Sequence, residues 1–201
     1  MPVNPRIIVL TAPSGAGKST IARRLLRAMP NVRFSVSATT RAPRTAETPG
    51  VHYHFMSNDE FDRGVRDGRF IEYEEVYPGL RYATLVSEVD SADTRNPVLL
   101  DIDVRGARRV KEIFGDDALT IFIAPPSFDE LAARLTGRAT ETGDALRTRL
   151  ERAREEMAWA AVFDEVVLNR EVEDATDEVL GVVRRFLEGE KGEGRREKGR
   201  A

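Results

Sequence analysis

The sequence has no cysteine among its 201 residues. That removes disulfides, thiolate metal sites and cysteine nucleophiles together, and it fits a reducing compartment. Lysine is scarce: of 31 basic residues only Lys18, Lys111, Lys191 and Lys198 are lysines. Arginine serves wherever a generic positive charge will do, so the lysine at 18 stands out. Long apolar runs are also missing. The longest near the N-terminus, Ile7 to Leu10, falls short of a signal peptide's apolar region or a membrane span, and a cytoplasmic location is expected. A formal net charge of −3 with 32% charged residues argues against long-range attraction to nucleic acid or an acidic membrane surface. Any anion must be held by local geometry. What is plentiful is apolar material, 41% of the chain, enough for one sizeable core carrying insertions.

Along the chain, strand and helix patterns alternate. Residues 6–12 read as a buried strand, and 19–29 carry Ile21, Leu25 and Leu26 at helical spacing with arginines opposite. Residues 31–39 alternate Val32, Phe34 and Val36 with polar residues, a strand pattern, before the polar stretch TTRAPRTAETPG. Residues 52–56 read as a strand, Ser57 and Glu60 as a capping box opening a helix to about 67, and 70–76 as another strand closed by the Pro78-Gly79 turn. Further on come a strand at 98–103, a helix at 105–114, a strand at 119–124 and a helix to about 137 capped by Ser127 and Glu130. A helix at 144–161, a strand at 165–168 and a helix at 174–187 complete the pattern. The expected fold is α/β: a parallel sheet with helices on both faces, interrupted by a small mixed α+β insertion. The tail EGEKGEGRREKGRA lacks apolar anchors, so 188–201 are expected to be disordered.

The residues that carry chemistry begin with APSGAGKST, residues 12–20. Between a strand and a helix, G-K-[ST] at Gly17, Lys18 and Ser19 reads as a phosphate-binding loop. Backbone N–H groups of residues 13–19 would surround a phosphate at a helix N-terminus, with Lys18 on the β- and γ-phosphates and Ser19 on Mg²⁺. Ala12 stands where the motif has its first glycine, a position that mostly serves the turn. Asp101 and Asp103 end another strand, where parallel sheets place ligands. There they orient Mg²⁺ through water, accept a substrate hydrogen bond, or merely cap the next helix, and spacing does not decide among these. Arg41 and Arg44 in one loop, with Arg134, Arg138 and Arg149 after Pro126, form two guanidinium clusters suited to two polyanions, although each taken alone reads as a solvated charge.

FSVSATTRAPR, Tyr53, FIEY at 70–73, LLDID at 99–103, IFIAPPS at 121–127, RLTGRAT at 134–140 and VVLN at 166–169 resemble, in order and spacing, the guanylate kinase family over about residues 6–187. The resemblance implies a P-loop kinase that moves the γ-phosphoryl group of ATP, with Mg²⁺, onto GMP. It implies an ATP site at Pro13, Ser14, Gly15, Ala16, Gly17, Lys18, Ser19 and Thr20 with Arg134 and Asn169. Arg41, Arg44, Tyr53 and Tyr82 would hold the GMP phosphate, and Ser37, Glu72, Thr84, Asp101 and Asp103 would serve the GMP site, with Glu72 on guanine. Lys18, Arg44, Arg138 and Arg149 are the implied catalytic residues, and Ser19 with Asp101, through water, the implied metal site. The implied division is a core of 1–36, 91–125 and 159–187, a GMP-binding insertion at 37–90 and a lid at 126–158. The expected partners are the two nucleotides, without nucleic acid or membrane, in a monomer or homodimer.

Ala12, Ala46, Ala83 and Ala139 replace glycines usual in the family, and His52 replaces a common aspartate. His52 and His54 form an H-x-H pair that reads as packed or exposed side chains rather than a metal site. Phe61, Val65 and Phe70 read as the insertion's small core, and Met157 and Trp159 as packing for the last lid helix. A catalytically silent guanylate-kinase-like binding module is disfavoured because Lys18, Ser19 and both lid arginines remain. Ser37 and Glu72 argue against a kinase of another phosphorylated small molecule, and the lack of an N-K-x-D segment argues against a signalling GTPase.

Overall fold

A computed structural model describes residues 5–90, 92–136 and 143–189, with the side chains of 77 and 143–146 outside the description. The expected disorder of the tail, apart from 188 and 189 at the end of the last helix, and the positions of Arg138 and Ala139 lie outside the described residues.

Five parallel strands build the main sheet: β1 (Ile7–Thr11), β2 (Arg33–Phe34), β7 (Val98–Asp101), β8 (Ala118–Ala124) and β9 (Glu165–Leu168). Their order is β2-β7-β1-β8-β9. β1 is central and buried along its whole length, which is why it reads as an unbroken apolar run rather than an alternation. Ile8 and Leu10 enter one core cluster, Ile7 and Val9 the other. The first cluster is covered by α1 (Lys18–Ala28), α5 (Phe128–Thr136) and α7 (Val172–Glu188), the second by α4 (Val104–Phe114). Because β7 lies on one side of β1 and β8 on the other, the order reverses at β1. Such a switch point opens a crevice at the carboxyl ends of the strands.

The second sheet is mixed, in the order β4-β3-β6-β5, from β3 (Ala38–Thr39), β4 (His54–Phe55), β5 (Phe70–Tyr77) and β6 (Leu80–Leu85). β3 pairs in parallel with β4 and antiparallel with β6, and β5 with β6 is antiparallel. Beneath it α2 (Asn58–Arg66) inserts Phe61, fully buried against Ala38, Ala83 and Phe70. Val65 joins the same cluster, so the predicted insertion core is present. Ala83 fills it with a methyl that glycine would lack.

Several boundaries differ from the reading. The alternation at 31–39 is not one strand. Arg33 and Phe34 pair with β7 in the main sheet, Ala38 and Thr39 lie in the small one, and between them the Val36 N–H donates to Glu88. Alternation specifies a half-buried strand but not which sheet receives it. The 52–56 strand shortens to two residues because Tyr53 bridges back to Pro49 and the Thr48 N–H donates to His52 Nδ1. β7 stops at Asp101 since Asp103 caps α4. α6 (Gly143–Ala158) ends earlier than expected and is followed by a 3₁₀ turn at Ala160–Val162. A short helix, α3 (Val86–Val89), was not anticipated. Met157 and Trp159 pack on the two core clusters, with Arg108 over the Trp159 ring. No helix among the described residues is long and apolar enough to cross a membrane.

The predicted capping box is complete: Ser57 Oγ accepts from the Glu60 N–H, and Glu60 accepts from the Ser57 N–H. Ser57→Ala is expected to cost about 1 kcal/mol, read as a lower urea midpoint with an unchanged slope; an unchanged midpoint would contradict the cap's role.

Candidate active site

At the carboxyl end of β1 the chain turns through Gly15 and Gly17, both in left-handed backbone at φ 90° and 93°. L-residues avoid that region. At Gly17 a side chain also has no room, because a Cβ there would lie 2.5 Å from the Asn169 amide nitrogen. Ala12, by contrast, is buried in the core cluster, where a methyl packs as well as glycine's hydrogen. The loop closes through an Ala16 N–H to Pro13 carbonyl bond of 3.1 Å, and Gly17 caps α1. In the first turn the Thr20 N–H is taken by the Gly17 carbonyl at 3.0 Å, which leaves the N–H groups of Lys18 and Ser19, with the positive dipole end, as the donors an anion could meet.

Lys18 and Ser19 open α1 and meet the end of β7. Lys18 Nζ lies 2.5 Å from Asp101 Oδ1 and donates to the Ile102 carbonyl at 2.8 Å, while Ser19 Oγ stands 3.5 Å from Asp101 Oδ2. Asn169, at the end of β9, is buried and donates from Nδ2 to the Ala16 carbonyl at 2.7 Å. Its side chain therefore holds the loop itself. Arg134 reaches the Asn169 carbonyl at 3.5 Å and Glu130 at 3.6 Å. Arg149, from α6, donates to Ser14 Oγ at 3.0 Å.

A second constellation lies on the small sheet. Arg41 makes a bidentate pair with Glu47 at 2.7 and 3.0 Å, and the same carboxylate accepts the Arg44 N–H at 2.7 Å. Those bonds, Arg41's first, hold the Glu47 carboxyl down at about 2 and raise the Arg41 guanidinium further. Arg41 stacks 5.3 Å from the Tyr53 ring centroid, and Tyr53 meets Tyr82 edge-on at 5.8 Å. Burial pushes the Tyr53 phenol up. Arg44 is exposed. Ser37 lies just before β3, its carbonyl taken by the His54 N–H. The two histidines have separate partners, His52 the Thr48 N–H and His54 the Glu88 carboxylate 3.7 Å away.

Between the two constellations sits Glu72, a buried carboxyl paired across the sheet with Thr84, whose hydroxyl donates to it. Its other oxygen faces α4 at Gly106, where a Cβ would come within 2.7 Å. The helix carries glycine there because the carboxyl occupies the space.

Comparison with known proteins decides the family. A model described as guanylate kinase matches residues 4–186. The guanylate kinase of Salinibacter ruber is 57% identical over 181 residues, 90% of this chain and 96% of the relative. That of Chlorobium luteolum is 47% identical over 183 residues, 90% and 92% of the two chains. A crystal structure of guanylate kinase from Anaplasma phagocytophilum superposes with a TM-score of 0.73 at 32% identity, covering 90% of this chain and 86% of that one. The chain belongs to the guanylate kinase family.

Within that family frame, the structure gathers Lys18, Ser19 and Asp101 at one point and Arg41, Arg44, Tyr53 and Tyr82 at another. Asp103 has moved to a supporting place: one oxygen caps α4 at the Arg105 and Gly106 N–H groups, at 3.0 and 2.9 Å, as the capping alternative had it. Three residues were missed. Glu47, the one acid in TTRAPRTAETPG, was readable as a partner for two nearby arginines. Gly106 breaks helix propensity inside a predicted helix, which signals a close approach. Arg152 gave no signal in so arginine-rich a chain.

Burial lifts the Glu72 carboxyl from its ordinary 4.5 to about 7, helped by Asp103 and Glu74 and opposed by the Thr84 hydroxyl. A raised native value means that the folded state holds the proton more tightly than the unfolded chain. This contribution to stability is complete below about pH 4.5 and is lost as the pH rises through about 7. Glu72→Gln is therefore expected to be more stable than the parent near pH 8, by about 3 kcal/mol, with the gap closing toward pH 4.5. Urea unfolding across that range checks this, and a gap independent of pH would contradict it.

Proposed function

We propose that the protein is a guanylate kinase that transfers the γ-phosphoryl group of ATP to GMP, giving ADP and GDP. The observation that carries the reading is the facing pair of anion sites, the loop with Lys18 on the main sheet and the Arg41–Tyr53–Tyr82 group on the small sheet, with Glu72 beside the second.

The ATP phosphates lie along the loop of residues 13–20, on those of its N–H groups that the loop does not itself use, and Lys18 leaves Asp101 for the β- and γ-oxygens. Asn169 and Arg134 border the nucleoside end. The GMP phosphate is taken by Arg41, Arg44, Tyr53 and Tyr82. Glu72, ionised, accepts from N1–H and the 2-amino group of guanine, with Ser37, Thr84 and Asp101 completing that side and Asp103 supporting it from beneath. Adenine offers no N1 donor, so it would leave a buried carboxylate with Thr84 alone and short of the base's donors, a loss that discriminates strongly. Taking the base requires Glu72 to give up its proton on binding.

The Ser19 hydroxyl and the Asp101 carboxylate are hard oxygen donors converging beside Lys18, a donor set that fits Mg²⁺ held partly through water and phosphate. When bound, the ion neutralises phosphate charge. The reacting oxygen of GMP is already ionised at neutral pH, so no general base is needed. One bond forms from that oxygen to the γ-phosphorus, and the bond to the β,γ-bridging oxygen breaks, its electron pair leaving with ADP. Arg44, Arg138 and Arg149 stabilise the charge, and closure of a lid at 126–158 over a core and a GMP-binding segment at 37–90 excludes water that would hydrolyse ATP.

ADP release should depend on added GMP. Lys18→Met should cut turnover by about 10²–10³-fold with GMP binding largely kept, and Glu72→Gln should erode GMP preference over AMP by about two orders of magnitude. Undiminished turnover in the first variant, or undiminished selectivity in the second, would contradict the assignment.

A further inference from the structure

One face of α6 touches both nucleotide sites. Arg149 and Arg152, three residues apart, lie on the same side of the helix. Arg149 reaches the phosphate loop at Ser14 Oγ, 3.0 Å away. Arg152 reaches three elements: it donates from Nε to Glu156 on its own helix at 2.8 Å, from Nη1 to the Val76 carbonyl of β5 at 2.6 Å, and from Nη2 toward Asp103 Oδ2 at 3.4 Å. Two routes lead from those contacts to Glu72. Val76 lies on the strand that carries Glu72 four residues earlier. Asp103 uses its other oxygen to cap α4 at Gly106, the residue whose missing side chain admits the Glu72 carboxyl.

The charges fit the same role. Glu72, Glu74, Asp103 and Glu156 surround this point, and Arg152 is bonded to two of them. Glu156 is itself buried. A planar guanidinium serves several acceptors in fixed directions, which an ammonium does not.

We propose that Arg152 is a positioning residue that links the two substrate sites: by tying the helix that bears Arg149 to β5 and to the α4 cap, it makes occupancy of the phosphate loop tighten the guanine site, and the reverse. This rests on the ATP:GMP reading above and adds to it a route for coupling. Linkage requires the effect to be reciprocal. The tie runs through side-chain and main-chain contacts of packed elements, the kind of connection through which single substitutions change coupling.

The test is GMP affinity, measured by calorimetry on the full chain with and without a non-hydrolysable ATP analogue and Mg²⁺, together with kcat and KM. The parent should bind GMP more tightly when the analogue is present. R152Q/E156Q, which removes both charges and keeps amide groups in their place, should lose about tenfold of that enhancement, while each nucleotide alone binds as it does to the parent. R152K keeps a cation beside Glu156 but spans Val76 and Asp103 poorly, so its enhancement should be intermediate; it decides the matter if the double variant does not fold. Enhancement equal to the parent's in both variants, a parent without enhancement, or GMP affinity lost equally with and without the analogue would each overturn the proposal. Failure of the parent to turn over GMP would overturn the functional reading beneath it, and the two failures are thereby distinct.

Discussion

Everything in this fold is arranged around a backbone that turns twice through left-handed space immediately after its most deeply buried strand. β1 is sealed on both faces, so its end is fixed to within the tolerance of core packing. Gly15 and Gly17 then redirect the chain, and α1 begins at Lys18 directly after the Gly17 cap. Asn169 pins the Ala16 carbonyl from the far side. A cradle of main-chain amides works as an anion site only if the amides do not move, and here two core clusters and a buried carboxamide hold them. Lys18 and Asp101 satisfy one another at the rim, a pairing that fixes where the ammonium stands.

The small sheet is built on a different principle. Arg41 is paired in advance with Glu47, and beside the sheet Arg152 of α6 with Asp103 and Glu156, while Glu72 is buried with donors from Thr84 and, among the described residues, no cation bonded to it. Burying a carboxyl without a counter-charge is unfavourable, a cost that, on the function proposed, the N1–H and 2-amino donors of guanine would offset. The proposed selectivity and the instability would then have one origin. Gly106 shows the same compromise from the other side, since a helix former there would overlap the carboxyl.

The turn between β1 and α1 was legible because a loop with glycines at 15 and 17 ahead of Lys18 and Ser19 has residue types at fixed spacing. β1, β7 and β8 were legible because strands buried on both faces are apolar throughout, and α2 because Ser57 and Glu60 satisfy each other locally. What escaped the reading was tertiary. Val32, Phe34 and Val36 alternate like one strand, yet the chain passes from one sheet to the other at Val36, a handover set by Glu88 on a distant helix. For Asp103 the sequence left ligand and helix cap both open, and only the fold shows its oxygens at the α4 cap and Arg152. Arg152 resembled the many solvated arginines around it, because sequence shows a charge and not the acceptors gathered about it.

On the function proposed, two nucleotides meet end to end between the loop and the arginine–tyrosine group. The most direct measurement is a crystal structure of the protein with GMP, Mg²⁺ and a non-hydrolysable ATP analogue. The γ-phosphorus should lie within about 3–3.5 Å of a GMP phosphate oxygen, the near-attack distance, with Glu72 on the guanine edge. Nucleotides bound out of line and far apart, or GMP seated away from Arg41 and Glu72, would contradict it.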